Sequence, residues 1–140
     1  MRVVLDTNVV FSALLWQGTS HNLLRAIRAR SDAQLFSSID LIEELADVLS
    51  RSESTKRLAL RSITPELVVA DYVMSINIVE PTPIAATSID PDDDVMLATA
   101  LSARADLIVS GDRRHLLVLR EYAGIPIVSV AQALAMIEGG

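Results

Sequence analysis

Arg2-Val3-Val4-Leu5-Asp6 and Leu107-Ile108-Val109-Ser110-Gly111-Asp112 are short apolar runs, each leading into a carboxylate. Neither shows the alternation of a strand with one wet face. Both read as strands covered on two sides, the pattern of a parallel sheet. Ile125-Pro126-Ile127-Val128 reads as another strand, and Ala33-Gln34-Leu35-Phe36 and Ile76-Asn77-Ile78-Val79 as weaker ones. Helical patterns lie between them. Ser20 to Arg30 places Leu23, Leu24 and Ile27 on one face, and Ser38 to Leu49 is amphipathic. Thr64-Pro65 is a cap followed by proline at the first helical position, opening a helix to about Ser75. Asp94 to Arg104 is apolar almost all round, as a core helix is, and Ser129 to Ile137 closes the chain. Strands alternating with helices predict an α/β layered fold around a parallel sheet. The 140 residues show no repeat and no linker, so one domain over residues 1–140 is expected.

Composition narrows the chemistry. Apolar residues make up 51% of the chain, which argues against disorder. With no cysteine and two histidines, thiolate sites and His-rich zinc sites are excluded. A metal must then be held mainly by oxygen, which suits Mg²⁺ or Mn²⁺. No apolar run approaches the roughly 20 residues needed to span a bilayer. Asp6 interrupts the first residues too early for a signal peptide, so a soluble cytoplasmic protein with no membrane partner is expected. The net charge of −6 speaks against nucleic acid, which usually demands a basic footprint. The bases are Arg except for Lys56, and Arg pairs bidentately with phosphate.

In open α/β sheets, sites form beyond the carboxyl ends of the strands. Asp6 and Asp112 fall there, on one edge. Either could instead cap a following helix, since Asp at a strand–helix junction is a good N-cap. In Asp90-Pro91-Asp92-Asp93-Asp94, capping by Asp90 and the positive helix end account for the first three acids. Asp94 is left over, a turn inside a helix with little polar face. A partly buried carboxylate needs a compensating partner, and a divalent cation would serve. On the helix from Ser38 to Leu49, Glu43 and Asp47 point away from the apolar stripe. Glu44 flanks it, where either a site residue or an ordinary boundary glutamate would lie.

Four segments together resemble the PIN-domain family. They are Val4-Leu5-Asp6-Thr7-Asn8-Val9, Ile42-Glu43-Glu44-Leu45-Ala46-Asp47-Val48-Leu49, Asp90 to Ala100, and Ile108-Val109-Ser110-Gly111-Asp112. Within that family the chain is most similar to compact bacterial toxins of toxin–antitoxin systems, relatives of the VapC type. The resemblance implies a three-layer α/β/α fold and a Mg²⁺- or Mn²⁺-dependent ribonuclease. Carried over by position, it implies Asp6, Glu44, Asp94 and Asp112 as acidic ligands, with Asp93 or Asp92 as alternatives to Asp94. Thr7, Asn8 and Ser110 match supporting positions. It also implies an RNA substrate and a small antitoxin protein as partner. Acids committed to metal would offset much of the charge objection. Arg113 and Arg114 follow Asp112 and are candidates for substrate phosphates or plain surface residues. His115 reads as structural more readily than as a proton shuttle.

Other functions fit less well. A phosphohydrolase using Asp6 as nucleophile would want an acid where Asn8 stands. A phosphoacceptor receiver would want a lysine at a strand end, and Lys56 is far from any. No glycine-rich phosphate loop occurs. A housekeeping RNA-processing nuclease and an inert binding module with the same fold stay open. Leu67, Val68, Val69, Tyr72 and Val73 crowd one helix with more apolar surface than one core face needs, so a homodimer is expected.

Overall fold

The structure, a computed structural model, describes residues 1–85, 91–112 and 116–139, with the backbone alone at Pro91 and Asp92. Strand β1 (Arg2–Leu5) runs down the middle of a sheet ordered β3-β2-β1-β4-β6-β5, with β2 at Gln34–Ser37, β3 at Asn77–Ile78, β4 at Leu107–Val109, β5 at Glu121–Tyr122 and β6 at Ile125–Val128. The pairs β1–β2, β1–β4, β2–β3 and β4–β6 are parallel, and only β5 runs antiparallel, against β6. The β5–β6 turn, Ala123-Gly124, has both residues at positive φ (50° and 82°), the geometry of a tight hairpin turn.

Alternation along the central strands separates two cores. Val3 and Leu5 of β1 and Leu107 and Val109 of β4 pack on one face, against α1 (Thr7–Leu15), α2 (Thr19–Ala29), α3 (Ile39–Leu49), α4 (Ser52–Ala59), α5 (Pro65–Val73) and α7 (Val130–Gly139). Val4 and Ile108 pack on the other, against Met96, Leu97, Ala100 and Ala103 of α6 (Pro91–Ser102). The fold is therefore three-layered, α/β/α, with the central strands buried on both sides as their unbroken apolar runs require. Among the described residues, no helix is long and apolar enough to cross a membrane.

Local chemistry explains most boundaries. Thr64 accepts a hydrogen bond from Leu67 N (3.3 Å) with Pro65 in the first turn, so α5 starts where expected. It ends at Val73, slightly short of the expected limit. Strand β2 lies one residue later than Ala33–Phe36, because Ser37 pairs with Ile78 of β3. Helix α6 begins at Pro91, not Asp94, because proline is well placed in a first turn. It ends in a Schellman closure: Arg104 N bonds Leu101 O (3.1 Å) and Ala105 N bonds Ala100 O (3.0 Å), with Arg104 at φ 51° doing what glycine usually does.

Candidate functional site at the carboxyl edge of the sheet

From β1 the chain moves outward to β2 and β3, then returns through α6 to β4 on the other side of β1. The connections on the two sides of β1 lie on opposite faces, so a crevice opens between the carboxyl ends of β1 and β4. In α/β sheets that switch point is where ligands bind. Asp6 follows β1 there, and Ser110 and Asp112 follow β4.

One hydroxyl organises this edge. Ser110 is fully buried, and its Oγ donates to Asp6 Oδ2 (2.9 Å) and accepts from the backbone N–H of Asp112 (2.9 Å). The backbone N–H of Asp6 donates to Val109 O (2.9 Å), locking the two strand ends in register. Asp6 occupies the N-cap position of α1, with φ −62° and ψ 151°, yet its side chain makes no capping hydrogen bond. The capping role that could explain an aspartate here is thus not the role it plays. Thr7, next in the chain, is buried, and its Oγ1 has no hydrogen-bond partner among the described residues. Asn8 is exposed.

The acids of α6 separate by face. Asp93 is only 8% exposed and extends the buried stripe of Met96, Leu97, Ala100 and Ala103 by one turn. Asp94 is half-buried and lines a cavity of about 260 Å³ with Asp40 and Pro81 to Ile84, a lining that includes none of Asp6, Glu44 or Asp112. On α3, Glu44 is half-buried while Glu43 and Asp47 are exposed, and Arg51 lies 3.7 Å from Asp47. Helices α3 and α6 are tied at this end by hydroxyls. Thr99 Oγ1 is hydrogen-bonded to Val95 O (2.8 Å) and to Ser38 Oγ (3.0 Å), and Ser38 caps α3 at Leu41 N (3.4 Å). Ser38 and Thr99 are both fully buried. The sequence held a signal for Thr99, a hydroxyl inside the otherwise apolar run Val95 to Leu101, and for Ser38, a serine at the cap position ahead of an amphipathic helix. Asp90, Arg113, Arg114, His115 and the side chain of Asp92 lie outside the described residues.

The donors at this edge are carboxylates and hydroxyls, the hard oxygen set that suits Mg²⁺ or Mn²⁺. Thr7 Oγ1, beside Asp6 and without a hydrogen-bond partner among the described residues, fits a site that holds something more than protein. Among the described residues, however, no three His, Cys, Asp or Glu side chains gather closely enough to hold one ion. Open coordination is Mg²⁺'s habit, for it is commonly held by one or two carboxylates, with water and substrate phosphate completing the shell.

The fold is shared with a solved structure. Over 92% of this chain and 98% of the other, the fold matches a chain in the crystal structure of VapBC2 from Rickettsia felis bound to a DNA fragment from their promoter, with a TM-score of 0.61 and 11% sequence identity. No curated protein sequence matches the chain. The PIN-domain family model matches residues 2–114, from the first strand through the fourth acidic motif, and on that match the chain belongs to the PIN-domain family, whose members are in general nucleases.

Proposed function

We propose that this protein is a Mg²⁺- or Mn²⁺-dependent ribonuclease that hydrolyses RNA phosphodiester bonds at the β1–β4 crevice, and that it is the toxin of a toxin–antitoxin pair. The observation that carries the nuclease reading is the Ser110 bridge, which joins a non-capping Asp6 to the backbone of Asp112. A buried serine holding two acidic segments at a sheet's switch point is costly unless those segments do something together. Asp6, Glu44 and Asp112 are assigned as acids of the site, and Asp93 is assigned as the third-motif acid in preference to Asp94. Its burial on the α6 face toward the sheet supports that choice. Thr7 and Ser110 support the site, and Asn8 faces solvent beside it. Arg113 and Arg114 stay candidates for substrate phosphates.

A bound divalent ion would neutralise phosphate charge and lower the pKa of water. The chain's own residues supply the rest. Ser110 fixes the rotamer of Asp6 by donating to Oδ2. Its acceptance from Asp112 N holds the loop after β4. A carboxylate of the set takes the proton from the attacking water as the P–O bond of the leaving nucleotide breaks.

The toxin assignment draws on the motif pattern and the VapBC2-like fold. It brings a small antitoxin as partner, with an arginine of that partner reaching the carboxylates. Self-association is proposed on α5, where Leu67 is 61% exposed and Val68, Val69 and Val73 are half-buried, with Leu60 and Ile63 exposed in the preceding turn. A strictly monomeric mass at tens of micromolar would sink that part.

The deciding experiment incubates purified protein with single-stranded and structured RNA, with and without Mn²⁺. Metal-dependent cleavage that vanishes in Asp6→Asn is expected. No cleavage under any metal condition would overturn the enzymatic reading in favour of an inert binding module. Growth arrest on expression, relieved by the neighbouring gene's product, is expected of a toxin. Harmless expression of active protein would favour housekeeping RNA processing.

A further inference from the structure

The net charge of −6 leaves unexplained how a polyanion would be held. At the far end of α1 from Asp6 lies a pocket of about 150 Å³ lined by Trp16, His21, Arg25, Arg28 and Arg61 among others, none of them acidic. Arg25 and Arg28 stand three residues apart on α2 and so share a face. Both are exposed, and the hydrogen bond of Arg28 goes to a neutral group, Ser75 Oγ (3.0 Å). Arg57, on α4, stacks over the Trp16 ring at 3.6 Å and donates to Leu15 O (3.0 Å). Arg61 donates to Leu15 O (2.7 Å) and Leu14 O (3.3 Å). Among the described residues, no carboxylate forms an ion pair with any of these four arginines.

The charge balance is lopsided. The end of α1 contributes about half a negative charge, which Arg57 and Arg61 answer. Arg25 and Arg28 are then in excess, at a concave surface in a chain that is acidic elsewhere. The cavity is below the roughly 300–1,000 Å³ of small-molecule sites, so it fits a phosphate group better than a whole cofactor. Trp16 stays 48% exposed at its rim, an aromatic surface on which a base can stack.

We propose that this pocket is a second contact for single-stranded RNA, with the phosphodiester anion on Arg25 and Arg28 and Trp16 beside it. The ligand assignment rests on the ribonuclease reading above. The nine residues of α1 span about 14 Å, so a strand leaving the crevice reaches the pocket within a few nucleotides.

The test measures binding apart from cleavage. Fluorescence anisotropy of a labelled oligouridylate 12-mer is titrated with full-length protein in EDTA at several salt concentrations. For Arg25→Gln/Arg28→Gln, affinity should fall about tenfold or more, and the slope of log K against log salt should flatten by about 1.4, the value for two lost contacts to a single strand. Arg25→Gln alone should give about half that slope change, and it covers the case in which loss of the Arg28–Ser75 contact disturbs folding. Arg51→Gln, an equal charge change beside Asp47, should do little. Unchanged affinity and slope in the double variant would overturn the proposal, as would an equal loss in Arg51→Gln. Displacement of the RNA by polyglutamate at matched charge would overturn it too, assigning the pocket to an acidic polypeptide. Pocket-dependent binding by a wild-type protein that never cleaves RNA would support the pocket while sinking the nuclease reading.

Discussion

The two ends of α1 are chemical opposites. At its start, beyond β1, stand Asp6 and, joined to it through Ser110, the segment of Asp112 that follows β4. At its finish, about 14 Å away, Arg57 and Arg61 grip the last carbonyls while Arg25 and Arg28 face solvent. The helix dipole favours both arrangements, acids at the positive end and guanidinium groups at the negative end. The ends differ in how they are held. At the basic end, side chains satisfy backbone carbonyls directly, so part of the charge is structural. At the acidic end Asp6 leaves the helix uncapped by its side chain and takes its hydrogen bond from Ser110. The acidic end gives up a capping hydrogen bond, typically worth about 1 kcal/mol, to fix a carboxylate at a crevice. Whole-chain charge hides this polarity.

The strongest way to break the comparison is to neutralise the acidic end. Asp6→Asn, Glu44→Gln, Asp93→Asn and Asp112→Asn should each lower RNA cleavage by at least about a hundredfold, since even outer-shell partners of a metal cost about 10–100-fold. Each should also shrink the stabilisation by Mn²⁺, which for one intact site is about 2.7 kcal/mol at one hundred times Kd. Glu43→Gln and Asp47→Asn should change neither, because those side chains are exposed. Thermal melts with and without Mn²⁺, paired with a cleavage assay, read all of these. Normal cleavage by Asp93→Asn alongside a dead Asp94→Asn would move the third acid back to Asp94.

A subtler break targets the bridge. Ser110→Ala removes the donor to Asp6 Oδ2 and the acceptor for Asp112 N together. Losing a hydrogen bond to a charged group and leaving an amide unsatisfied should cost about 1–3 kcal/mol of stability. Mn²⁺ affinity should weaken by about 10–100-fold if the serine orients a ligand. Ser110→Thr, which keeps the hydroxyl, should recover most of the affinity. Unchanged Mn²⁺ affinity in Ser110→Ala would make the serine a packing residue only.

How much of this was legible in the sequence follows from what each segment's residues can signal alone. β1 and β4 announce themselves because strands covered on both faces are simply apolar, and β6 because its run is apolar even though Pro126 is exposed. Thr64-Pro65 announces α5 because cap and proline carry backbone meaning. α1 was hidden because Thr7 to Leu15 is apolar on nearly every side, leaving no period to detect. α4 was hidden for the opposite reason, since it buries only Ser54 and Leu58. The end of α6 gave no glycine to mark it, Arg104 taking the left-handed position instead. Asp6 and Asp112 were legible because each follows a strand. The choice within Asp92-Asp93-Asp94 was not, because adjacent identical residues carry no face until Pro91 fixes the helix start. The basic pocket was invisible because Arg25 and Arg28 come from one helix while Arg57 and Arg61 come from another region of the chain.

The smallest expected effect sharpens the basic end from within. Tyr72 lies in the core near Arg28, and burial raises its phenol pKa well above the usual value, with the Arg28 charge opposing only in part. A folded-state pKa above the unfolded one means that the native protein holds the proton more tightly. Below about pH 10, where unfolded tyrosine also keeps its proton, the contribution is fully present. As pH rises past that point the unfolded chain releases the proton while the folded chain retains it, so stability drains away. One unit above the unfolded pKa, the loss from this group is about 1.4 kcal/mol. Tyr72→Phe keeps the ring and removes the titrating group. At pH 7 it should differ from wild type by about 1 kcal/mol or less. Between pH 9 and 11 its denaturation midpoint should fall less steeply than that of the wild type, so the two curves converge or cross. Parallel curves over that range would mean that Tyr72 is not held neutral beside Arg28.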